Sequence, residues 1–172
     1  MRLSVRTNYA SVTDRATASL LRATYLEPAL AGRPDQVEID LNGRIRQLSV
    51  GAADELVGKF VERLRGQGPL SDEVHDPVVI VRARSWDVLR NVHAALRDRG
   101  QAALAVNDQE HSAPTPIGDV SVDERAAFTN LVEHGQAVQQ ERLQSLAAKG
   151  LLISTPAGYV LPQVEEDALE YA

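Results

Sequence analysis

Hydrophobic positions along the chain switch repeatedly between a period of two and a period near 3.6 residues. Leu3 and Val5 alternate as a short strand. Residues from Thr13 to about Leu30 read as a helix with Ala16, Leu20 and Ala23 on its inner side, and Val37, Ile39 and Leu41 alternate as a second strand. The clearest element follows. Ala53, Leu56, Val57, Phe60, Val61 and Leu64 form one apolar stripe at helical spacing, while Asp54, Glu55, Lys59, Glu62 and Arg63 occupy the opposite face. Val78 to Val81 is a continuous apolar run suited to a strand buried on both faces. Trp86 to Arg99 predicts a third helix with Leu89, Val92 and Leu96 inward, and Ala102 to Val106 a final strand. A β-α-β-α-β-α-β order implies an α/β sandwich with a mainly parallel sheet.

Asn42-Gly43 gives a competing local signal, because this dipeptide favours a two-residue hairpin turn. Register argues against a hairpin. A two-residue loop would pair Leu41 with Arg44 and Ile39 with Arg46, setting arginines opposite core-facing residues. The dipeptide therefore ends the strand and starts a loop toward Ser49.

Beyond residue 106 the pattern changes. Asn107 to Gly118 is rich in turn formers and holds two prolines, so residues 107–118 read as a linker or ordered surface loop between a first domain, 1–106, and a second segment, 119–172. In that segment Val120 to His134 and Gln136 to Lys149 are helical, Gly150 is placed as a left-handed cap, and two short strands flank Pro156-Ala-Gly158. Charge divides at the same point. Residues 1–118 hold 15 Lys and Arg against 15 Asp and Glu, whereas residues 119–172 hold 3 against 9, so the net charge of −6 lies in the last third.

At 172 residues the chain is long enough for one solid core or a core with a small appendage. It has no cysteine, which excludes disulfides and thiolate zinc sites and fits a reducing compartment. The apolar runs are too short to span a bilayer, and Met1 to Arg6 lacks the apolar centre of a signal peptide, so a cytoplasmic protein without a membrane partner is expected.

Catalytic constellations can be tested one by one. Gly51 and Gly58-Lys59-Phe60 superficially resemble a phosphate-binding loop, yet six residues separate the glycines instead of four, and Phe60 stands where Ser or Thr would hold magnesium. His75, His93, His111 and His134 are dispersed, with no metal-ligand spacing. There is no nucleophile elbow. Trp86, Tyr25, Tyr159 and Tyr171 read as packing or surface aromatics. The expectation is a protein without a cofactor, a metal or an enzymatic reaction.

The stretch Asp40 to Phe60 runs from an alternating strand through a turn to Ser49, then into a helix that opens Ala-Asp-Glu-Leu56. This order resembles the centre of the STAS-like family, relatives of the anti-sigma-factor antagonists. The resemblance implies a STAS-like α/β sandwich and a regulatory protein-interaction module. Its implied partner is a histidine-kinase-like ATPase or an anti-sigma-type protein, and a homodimer is a further assembly to test. It also implies that a serine near the loop-to-helix junction can be phosphorylated, which places Ser49, Gly51, Asp54 and Glu55 in one docking patch. The loop Gly43–Gly51 and the outer face of the helix 52–65 complete that surface. Ser49 is equally well placed as a simple N-cap. Carboxylates in a first helical turn, such as Asp54 and Glu55, are favoured by the helix dipole alone.

Arg142 to Leu152 followed by Gly158-Tyr-Val-Leu161 is similar to the recognition helix and wing of winged-helix domains, which implies a small C-terminal α+β segment. Its alternative function is that of a DNA-binding transcriptional regulator with an α/β sensing domain, in which Arg125, Arg142 and Lys149 would contact DNA. The charge count opposes it. Three cations against nine acids, Glu165-Glu-Asp167 among them, offer few phosphate contacts.

Overall fold

The computed structural model describes residues 1–66, 76–135 and 140–164. In chain order its elements begin with β1 (Arg2–Ser4), β2 (Ser11–Val12), α1 (Arg15–Leu21), β3 (Gln36–Asp40), β4 (Gln47–Leu48) and α2 (Val50–Ala53). They continue with α3 (Lys59–Gly66), β5 (Val78–Ala83), α4 (Trp86–Asp98), β6 (Ala102–Asn107) and β7 (Thr115–Gly118). The last are α5 (Val122–His134), α6 (Gln140–Ala148), β8 (Ile153–Thr155) and β9 (Gly158–Val160). The main sheet has the order β1-β3-β5-β6-β7, its first four strands parallel and β7 antiparallel to β6. The fold is thus mixed α/β with a mostly parallel sheet.

Parallel strands that follow one another in space as they do in sequence, joined by crossovers of one hand, put every connecting helix on the same face. On that face Val37, Ile39, Val79, Val81, Ala103 and Ala105 pack with the apolar stripe of the α2–α3 helix and with Val88, Leu89, Val92 and Leu96 of α4. Ala53, Leu56, Val57, Phe60, Val61 and Leu64 are all buried, as their spacing predicts. The opposite face of β5 and β6 still carries Val78, Ile80, Ala102, Leu104 and Val106. These are covered by Phe128 of α5, by Leu143, Leu146 and Ala147 of α6, and by Leu151 and Leu152. The run Val78–Val81 is accordingly buried on both sides.

Two expectations are corrected. The first helix is set on a different phase: Ala16, Leu20 and Ala23 are exposed, and Ala18, Leu21, Leu26 and Ala29 face the core. Its regular part ends at Leu21. A widened π-helical turn over Arg22–Leu26 and a tighter 3₁₀ segment over Glu27–Gly32 follow, so a constant 3.6 period does not apply. Residues 107–118, read as a linker, contain the sheet strand β7. Pro116 is tolerated there because β7 is an edge strand, where a missing N–H breaks no ladder. The apolar residues of the C-terminal elements form one cluster with β5 and β6. Asn42-Gly43, as register requires, does not make a hairpin: β3 pairs with β1 and β5, and β4 pairs with β2.

Two devices tie the C-terminal layer down. Gly150 closes α6 in a left-handed conformation, φ 72°, and lies so close to the β5 entry that a Cβ there would sit 2.6 Å from the Pro77 carbonyl oxygen. At the start of α5 the Ser121 Oγ accepts from the Glu124 N–H at 3.1 Å, while the Glu124 carboxylate accepts from the Ser121 N–H at 2.8 Å, a reciprocal capping box. The same carboxylate reaches α6, accepting from Ser145 Oγ at 2.5 Å and pairing with Lys149 Nζ at 2.9 Å.

Burial alone would raise the Glu124 pKa, but the donors Ser145, Ser121 and Lys149 outweigh it and bring it to about 2. A carboxylate depressed in the folded state stabilises the protein above its unfolded value and loses that contribution as pH falls toward the folded one. We expect Glu124→Gln to be destabilised at pH 7 by about 2 to 3 kcal/mol, with the gap to wild type closing between about pH 4.5 and pH 2. Urea midpoints across that range check it; a gap independent of pH would assign the effect to packing.

Candidate functional site

The Ser49 junction is built by the small parallel pair β2–β4. Its backbone N–H donates to the Val12 carbonyl at 3.1 Å, which pins the end of β4 beside the start of α1. The side-chain hydroxyl works in both directions. Oγ accepts from the Ala52 N–H at 3.1 Å, capping α2, and donates to the Thr13 carbonyl at 2.9 Å. Asn91 of α4 supports the strand from behind, its Nδ2 donating to the Leu48 carbonyl at 2.7 Å. Ser49 itself is half-buried, and the neighbouring Val50 is 42% exposed. An apolar side chain at the tip of a fixed loop is a contact point that the apolar core does not use.

Asp54 and Glu55 lie one turn further on, and they are not the exposed carboxylates expected from the sequence. Both are clamped by cations. Asp54 is held by Arg99, with Nη2–Oδ2 at 3.1 Å, and by Arg15 at 3.2 Å. Glu55, 8% exposed, is held by Lys59 at 2.5 Å, Arg22 at 3.1 Å and Arg15 at 3.2 Å, and its backbone carbonyl also accepts from Arg22. Hydrogen bonds from Arg99 keep Asp54 below the usual carboxylate range, and those from Lys59, then Arg22 and Arg15, do the same for Glu55. The cause of their position is local. Residues Asp54–Gly58 form a second π-helical turn, which inserts a wide turn between α2 and α3 and directs Glu55 toward the matching turn that begins at Arg22.

Gly51 completes the site. A Cβ placed there would meet the Arg15 guanidinium at 3.4 Å, so this small residue lets Arg15 lie against the helix start as it reaches the two carboxylates. The structure therefore brings all four expected residues into one region, but in a different arrangement. Ser49 and Val50 form the accessible edge, whereas Asp54 and Glu55 are anchors for Arg15, Arg22 and Arg99. The roles of those three arginines here had no local signal in the sequence, because Asp54 and Glu55 lie 33 to 45 residues from them.

The cations considered for DNA contact are engaged within the chain. Arg125 donates to the Pro116 carbonyl at 2.5 Å, Arg142 pairs with Asp123 at 2.9 Å, and Lys149 holds Glu124 at 2.9 Å and the Asp119 carbonyl at 2.8 Å. Tyr25 and Trp86 pack against the first core and Tyr159 against the second, with Trp86 Nε1 donating to Glu110 at 2.7 Å. Tyr171, His75 and Glu165–Asp167 lie outside the described residues. Among the described residues no three His, Asp or Glu side chains gather to hold a metal ion, and no helix is long and apolar enough to cross a membrane. No family model, curated protein or solved structure matches the chain.

Proposed function

We propose that the protein is a non-enzymatic regulatory module that docks a protein partner on the Ser49 edge, with modification of Ser49 as the switch. The observation that carries this reading is the double role of the Ser49 hydroxyl at the junction of β4 and α2, half-accessible and two residues before Gly51, which the Arg15 guanidinium approaches. A phosphate on Oγ would remove the proton donated to Thr13, add up to two negative charges, and compete with Asp54 and Glu55 for Arg15. The ion network below would then rearrange while the apolar stripe stays in place. Resemblance of Asp40–Phe60 to STAS-like proteins supports this reading and makes an anti-sigma-type protein or a histidine-kinase-like ATPase the partner class to test first. The alternative of a winged-helix regulator is less well supported, because Arg125, Arg142 and Lys149 are already occupied.

The test is quantitative capture from native lysate with wild type, Ser49→Ala and Ser49→Asp, with circular dichroism on each. Ser49→Ala should lower stability by about 1 kcal/mol through the lost cap and keep its partner. Ser49→Asp should remain folded and bind the same partner at least about tenfold more weakly. Equal affinity for Ser49→Asp and wild type would reduce the serine to a cap and move the docking site elsewhere.

A further inference from the structure

After Leu41 the chain leaves the main sheet and crosses to β4, so residues 42–46 stand over the carboxyl ends of the parallel strands. The turn from β5 into α4 and the loop after β6 form the other walls of a cleft of about 670 Å³. That volume suits a small molecule. Ile45 is its single apolar lining side chain among the described residues, which disfavours an apolar ligand.

The charge of the cleft is one-sided. Arg44, Arg46 and Arg84 line it, are exposed, and form no ion pair among the described residues, unlike Arg15, Arg22 and Arg99, which hold carboxylates. The one lining carboxylate, Asp108, is engaged within the chain, although its cation Arg82 also pairs with the buried Glu38 at 3.4 Å. Arg82 Nη2 holds Asp108 at 2.6 Å and Asn42 Nδ2 donates to it, so, among the described residues, three unpaired lining arginines face one carboxylate that is already hydrogen-bonded. The 13-residue helix α4 starts at Ser85 on the same cleft, where Asp87 in its first turn, paired with Arg90 at 3.0 Å, offsets part of the positive helix end.

We propose that this cleft binds a small polyanion carrying two or more phosphate groups. Three guanidinium groups from two separate loops match several phosphate oxygens bidentately, which a single carboxylate does not offer. A site recessed between three loops fits a small ligand better than a protein surface. It is separate from the Ser49 edge and does not depend on it.

The test is calorimetric titration of the full chain with inorganic pyrophosphate at fixed ionic strength. Wild type should give saturable 1:1 binding. Arg46→Gln and Arg84→Gln should each weaken it by about tenfold or more. Arg97→Gln, which removes the same charge at the far end of α4, should leave it unchanged. ATP in place of pyrophosphate identifies the source: tighter binding assigns a nucleotide and equal binding the phosphates alone, and either upholds the site. Absence of saturation up to about 10 mM would overturn the proposal. Equal loss in Arg97→Gln would overturn it too, as would binding of a hepta-glutamate peptide where pyrophosphate gives none.

Discussion

Phe60→Ala is expected to lower the unfolding free energy by about 3 to 5 kcal/mol, because it empties a site from which water is wholly excluded. Phe60 lies in the apolar stripe of the α2–α3 helix, between that helix and the sheet face formed by Val37, Ile39, Val79 and Val81. A domain of this size has only about 5 to 15 kcal/mol in total, so the loss is a large fraction of it. In thermal terms it corresponds to a fall in Tm of about 6 to 20 °C, since each kcal/mol is worth about 2 to 4 °C at this length. Circular dichroism melts measure it, with Leu20→Ala as the companion. Leu20 is 67% exposed, and its removal should change stability by no more than about 0.5 kcal/mol. If Leu20→Ala proved the more damaging of the two, the phase assigned to the first helix would be wrong.

Gly118→Ala should be nearly as severe, for a backbone reason. Gly118 ends β7 with φ +89°, and a Cβ there would lie 2.2 Å from the Gln101 carbonyl oxygen and 2.9 Å from Leu96 Cβ. Backbone atoms cannot swing aside as a flexible side chain can. The residue also donates its N–H to His93 Nδ1 at 2.9 Å. Burial, then the positive charges of Arg125 and Arg97, hold this imidazole below its ordinary pKa, so the nitrogen keeps the lone pair that the bond needs. A loss of about 3 kcal/mol or more is expected, together with a changed His93 nitrogen resonance as β7 is pushed off β6. Gly32→Ala, where a Cβ meets nothing within 4 Å, is the control. Equal urea midpoints for Gly118→Ala and wild type would show that β7 takes another path.

What the sequence made legible follows from how local each cause is. The stripe from Ala53 to Leu64 and the two-sided run Val78–Val81 carry their own periodicity, so their burial could be read directly. Ser49 was legible as a cap because its hydrogen bond spans three residues. Glu55 was not legible as an anchor. Its partner Arg22 lies 33 residues back, and both sit in π-helical turns, which leave no compositional trace. Pro116 obscured β7, since a proline rules out a central strand but says nothing against an edge. The cleft over the strand ends was illegible for the same reason as the ion network. Arg44 and Arg46 meet Arg84 only once β3 and β5 are side by side.

The placement of every connecting helix on one side of the sheet has a consequence for how the protein is made. As the chain leaves the ribosome, β1 through β6 can pair in order and close the first core, yet Val78, Ile80 and Leu104 stay bare until Phe128, Leu143 and Leu146 have been synthesised. At about 5 to 20 residues per second that interval lasts a few seconds, long enough for an apolar sheet face to recruit a chaperone or another nascent chain. Premature termination between Gly118 and α6 would make the exposure permanent. The last third of the chain therefore acts as the lid that ends a vulnerable stage of biosynthesis.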